Sequence, residues 1–77
     1  MSSEAYDAKL VRMANQIATF FATQSETDKA GAVATHLRDF WDPRMRARLS
    51  DLLAAGGAGL SPLAREAAER LEALATA

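Results

Sequence analysis

The chain has 77 residues, no cysteine and a formal net charge of −1, which describes one small domain with no disulfide, no thiolate-held iron–sulfur cluster and no thiol nucleophile. A DNA-binding domain ordinarily carries a basic excess that this composition lacks, and no apolar run approaches the roughly 20 residues needed to span a bilayer. The start, MSSEAYDAKL, is acidic where a secretory signal would be basic, so the expected location is the cytoplasm, with neither membrane nor nucleic acid as a partner.

In chain order, Ser2 or Ser3 is positioned to cap a first helix, with Glu4 and Asp7 near its positive end. Leu10, Met13, Ile17, Phe20 and Phe21 then recur at helical spacing to about Ala22. Behind that stripe, Ala14, Ala18 and Ala22 form a ridge of small side chains in a segment without charge. Such a ridge is either tolerated in water or is a second packing surface that lets another backbone come close. The polar segment QSETDKAG forms a loop, where Ser25 with Asp28 resembles a capping box and Thr27 is a rival cap. Ala30, Val33, Leu37, Phe40 and Trp41 repeat the spacing of the first helix, so two antiparallel helices are expected.

The stretch HLRDFWDPRMRARL, from His36 to Leu49, holds the only Trp and the only His. Asp42 followed by Pro43 ends one helix and opens the next, since the carboxylate accepts from free amides and proline needs no donor in a first turn. The third helix turns Met45, Leu49, Leu52 and Leu53 inward and stops at Gly56-Gly57. Arg46 flanks its stripe on one side, Arg44 and Arg48 on the other. Arginines so placed either lay their methylenes on the core or pair with a partner's carboxylates. Arg44 and Arg48 are both expected in water, so removing them together is expected to leave folding nearly untouched. Ser61-Pro62 opens a fourth helix in which Leu63, Ala67, Leu71 and Leu74 face inward, with Arg65–Glu69 and Glu66–Arg70 pairing outside; it reads as a solvated lid.

The expectation is an all-α fold, a small four-helix bundle-like domain with short loops over residues 1–77, its helices near 4–22, 28–41, 43–55 and 62–75. The expected core is Leu10, Met13, Ile17, Phe20, Val33, Leu37, Phe40, Leu49, Leu52, Leu63 and Leu71, with Trp41 at the edge beside Arg44 and Arg48. Alanine supplies 18 of the 38 apolar residues, which adds helix propensity more than core volume. A marginal monomer that gains stability from a partner follows.

Chemistry is mostly excluded. His36 has no second His or Cys with which to build a metal site, and no nucleophile motif accompanies it. GGAGL lacks the lysine of a phosphate-binding loop. Catalytic, cofactor-binding and metal-ligating residues are therefore expected to be absent. A helix-turn-helix DNA-binding regulator stays open as an alternative, although the turn lacks its usual glycine.

RMANQIATFF, then AVATHLRDFWDPRMRARL, then GGAGLSPL resemble the delta subunit of soluble, NAD-dependent, molybdenum-containing formate dehydrogenases of bacteria. The resemblance runs from about Lys9 to Leu74, with FWDPRMR its most specific part. This chain departs from it in carrying Ala18 where glycine is expected, and in lacking a proline before the second helix. The resemblance implies a non-catalytic subunit without a cofactor, in a complex whose large subunit holds the molybdenum cofactor and whose flavin-bearing partners reduce NAD. The implied partners are those larger subunits, the molybdenum-bearing one first. A transient chaperone for cofactor insertion is the alternative, and the isolated chain is a candidate for self-association. The candidate partner-binding residues are Trp41, Asp42, Pro43, Arg44, Arg46 and Arg48 at the junction, and Ala14, Ala18 and Ala22 on the ridge.

Overall fold

The structure, a computed structural model, describes residues 3–76, and their side chains over 4–74. The fold is all-α: among the described residues it has four helices and no strand, α1 (Ser3–Ala22), α2 (Lys29–Phe40), α3 (Pro43–Ala54) and α4 (Pro62–Thr76). Every expected boundary lies within one residue of the observed one. Of the two caps expected for α1, Ser2 lies outside the described residues, and Ser3 is already helical.

The caps explain the other boundaries. Asp28, rather than Ser25 or Thr27, caps α2 by accepting from the Gly31 amide at 3.1 Å, which puts a carboxylate at the positive end of the helix. A methyl group at Gly31 would collide with that carboxylate, so glycine makes room for the cap. Asp42 caps α3 by accepting from the Met45 amide at 2.9 Å, with Pro43 in the first turn. Ser61 Oγ accepts from the Ala64 amide at 3.2 Å to open α4. At the end of α3, Gly57 donates to Leu52 O and Gly56 to Leu53 O. This pairing closes a helix when the chain turns left-handed, and both glycines have positive φ.

The core departs from the expected faces. On α1 the fully buried line is Leu10, Ala14, Ala18, so two alanines of the ridge lie at the centre of the helix contact, and only Ala22 is exposed. Val11, Met13, Ile17 and Phe21 pack around that line, half-buried. On α2 the buried line is Ala30, Val33, Ala34, Leu37 and Trp41. Trp41 is only 5 % exposed, whereas Phe40 is 75 % and Phe20 is 59 % exposed. Both placements reverse the expectation for Phe40 and Trp41. Counting the alanines moves the centre of the stripe towards the i+4 position from Leu37, and the extended backbone of Trp41, just past the helix, lets the indole close the end of the core.

The fourth helix is not a lid. Its Ala64, Ala67, Ala68 and Leu71 are buried, α4 packs on α1, α2 and α3, and its contact with α2 is the most extensive of any helix pair. Small side chains on both surfaces permit this close approach. Leu74 is exposed instead of facing inward. Arg65 donates to the Gly57 carbonyl at 3.3 Å instead of pairing with Glu69, while Arg70 keeps its pair with Glu66 at 3.6 Å.

Candidate functional site

At the α2–α3 junction most of the expected binding residues have work inside the fold. Trp41 is core, and the Asp42 carboxylate is occupied as a cap. Arg48 reaches back across the bundle: its Nε and Nη2 donate to the two carboxylate oxygens of Asp7, each at 2.8 Å. That arginine is therefore a clamp between α3 and α1, not a free flank. It holds the Asp7 carboxyl below the usual carboxylate range, and Asp7 in turn raises the Arg48 guanidinium. Arg46 is half-buried beside a concavity of about 240 Å³ lined by Leu49, Ala68 and Leu71, and its Nε is buried without a hydrogen-bond partner. Besides the capping Asp42, the expected binding residues that are exposed are Pro43, which opens α3, Arg44 and Ala22. Ala14 and Ala18 are covered by the chain itself, because they form the seat on which the other helices pack.

A second arginine clamp joins α4 to the start of α2. Arg70 of α4 donates to both oxygens of Asp28, at 2.7 and 3.1 Å. The Arg70 hydrogen bond, and after it the Gly31 amide, hold the Asp28 carboxyl below its usual range. Asn15 donates to Gly59 O and accepts from the Ser61 amide, both at 2.9 Å, which pins the α3–α4 turn to α1.

What the exposed surface offers is an aromatic row across α1 and α2 that the sequence reading did not single out. Phe20 meets Phe21 edge-on with ring centroids 5.3 Å apart, Phe21 meets His36 at 5.8 Å, and His36 lies tilted over Phe40 at 4.6 Å. The sequence signal was present in Phe20, Phe40 and the lone His36: once alanines fill the centre of each stripe, large rings at its margin are pushed to the surface. On one side of the row an open concavity of about 280 Å³ is lined by Gln16, Ile17, Phe20, Phe21 and His36. On the other, a concavity of about 530 Å³ is lined by Phe21, His36 and Phe40 together with the acidic residues Glu26, Asp28 and Asp39.

Among the described residues, no group of three or more His, Cys, Asp or Glu side chains could hold a metal ion, and no helix is long and apolar enough to cross a membrane. Residues 9–68 match the family described as NADH-dependent formate dehydrogenase delta subunit, FdsD. The chain belongs to this family. The FdsD match runs from the first half of α1 to the middle of α4 and takes in all four rings of the row, as well as the Asp42-Pro43 junction. Among curated proteins none matches.

Proposed function

We propose that the chain is a non-catalytic accessory subunit of a cytoplasmic NADH-dependent formate dehydrogenase, which stabilises the complex or helps assemble it by binding the molybdenum-bearing subunit and carries no cofactor of its own. The observation that carries this reading is membership of the delta-subunit family over residues 9–68. The exposure of Phe20 and Phe40 beside Phe21 and His36 supports it, because aromatic side chains concentrate in the cores of protein interfaces. Family membership also favours this reading over a DNA-binding regulator.

The test is purification from the native cytoplasm through a tag on this chain, with stoichiometry and molybdenum measured on what comes with it. An accessory subunit is recovered in fixed ratio with the active enzyme. A chaperone for cofactor insertion is found instead on the immature large subunit and is missing from the mature complex. Deleting the chain is expected to lower the yield or molybdenum content of the complex. A change confined to the Michaelis constant for formate would instead point to a role near the reaction and overturn the proposal.

A further inference from the structure

We propose that the row Phe20–Phe21–His36–Phe40 is the docking surface of this chain, and that the segment of the larger subunit seated on it presents an apolar side chain with an arginine beside it. The inference rests on the reading of the chain as a subunit and adds the surface and the chemistry of what covers it.

Three features single out this surface. First, Phe20 and Phe40 stand in water at 59 % and 75 % exposure although the core is short of large side chains, so neither ring serves the isolated fold. Second, the rings form one continuous row: α1 and α2 carry all four, and each touches the next at centroid distances of 4.6 to 5.8 Å. Rings held on helices lose little freedom on binding. Third, the row has two unlike sides. The concavity against Ile17, Phe20 and Phe21 is apolar and takes an aliphatic or aromatic side chain.

The opposite side decides the charge of the occupant. Glu26, Asp28 and Asp39 line it, and no lysine or arginine does. Arg70 and Arg38 pair with Asp28 and Asp39 at 2.7 and 3.1 Å, which leaves Glu26, whose backbone carbonyl accepts from Lys29 Nζ at 3.4 Å, as the lining carboxylate that is in no ion pair among the described residues. A guanidinium entering there lies against the face of an aromatic ring and within reach of carboxylates, a combination that suits arginine better than lysine. Through this same face a second copy of this chain would offer only Arg38 and Arg70, already paired to Asp39 and Asp28, and so no free guanidinium for Glu26.

The experiment uses the complex obtained through a tagged chain co-expressed with the larger subunits. The pair Phe20→Ala with Phe40→Ala, and separately Glu26→Arg with Asp39→Arg, are each expected to reduce recovery of the larger subunits at least about tenfold, with helical content unchanged. Arg12→Glu, at a residue that lines neither concavity beside the row, serves as the control and is expected to recover them like the parent. A photo-crosslinking phenylalanine analogue at position 40 is expected to capture a peptide of a larger subunit that contains an arginine. Parent-like recovery by either folded double variant, a cross-link to a second copy, or a captured peptide without arginine overturns the proposal. If the parent chain itself recovers no larger subunit, it is the accessory-subunit reading that fails.

Discussion

Arg48 grips Asp7 with two parallel hydrogen bonds of 2.8 Å across a separation of 41 residues, and so fastens the start of α1 to the middle of α3. The arginine flank of α3 thus divides by task, since Arg48 belongs to the fold while Arg44 is exposed. Arg48→Ala is expected to lower the melting temperature measurably and Arg44→Ala to leave it unchanged, in thermal unfolding followed by circular dichroism. A double-mutant cycle with Asp7→Asn isolates the pair: if Arg48→Ala costs as much in the Asp7→Asn background as alone, the clamp contributes nothing.

Both clamps set a pH dependence whose sign is fixed. Asp7 and Asp28 have carboxyls held below their ordinary range by Arg48 and Arg70, so the folded state binds the proton less readily than the unfolded chain. The stabilisation is complete above the unfolded aspartate value of about 3.9 and is lost as pH falls through the depressed folded values. Urea midpoints are expected to be level from neutrality to that range and then to fall. Asp28→Asn keeps a residue able to cap α2 but loses the ionic pair with Arg70, so its midpoint should fall less steeply with acid. An unchanged slope in that variant would show that Asp28 titrates alike in both states.

Phe40 and Trp41 exchange the roles that helical spacing assigns them. Trp41→Ala removes the buried indole and is expected to cost roughly 3 to 5 kcal/mol, enough to unfold a small domain. Phe40→Ala acts on a ring that is 75 % exposed and is expected to change stability by about 0.5 kcal/mol or less. Urea unfolding read by far-UV circular dichroism checks both without relying on the indole. A larger loss for Phe40→Ala than for Trp41→Ala would put the phenylalanine back in the core.

These two residues also show what was legible in the sequence. Helix limits were readable because Asp42, Pro43, Ser61, Pro62 and the Gly56-Gly57 pair act locally, through hydrogen bonds within a turn or two. Which face of each helix turns inward is less readable, because large side chains do not mark the centre of an alanine-packed contact. In a fold packed through Ala14, Ala18, Ala34, Ala64, Ala67 and Ala68, the smallest residues mark the closest approach, and Phe20 and Phe40 are displaced to the rim. The clamps of Arg48 on Asp7 and Arg70 on Asp28 join residues more than forty apart, and no local pattern announces them. The aromatic row was hidden for the same reason, since it needs the register between α1 and α2.

The alanine ridge gives the last prediction. Ala14 and Ala18 are 1 % and 2 % exposed, and the approach of the packed helices leaves no room for a longer side chain at either. Ala18→Leu is therefore expected to destabilise by roughly 1 to 3 kcal/mol through overpacking, whereas Ala22→Leu, one turn further along and exposed, is expected to stay within about 0.5 kcal/mol of the parent. Chemical denaturation of the isolated chain measures both. The comparison also separates folding from binding: Ala18→Leu weakens assembly only as far as it unfolds the chain, so a temperature at which it is fully folded restores its recovery of the larger subunits. If Ala18→Leu folds as well as the parent and still fails to bind them, the ridge meets the partner directly, and the helices must part to expose it.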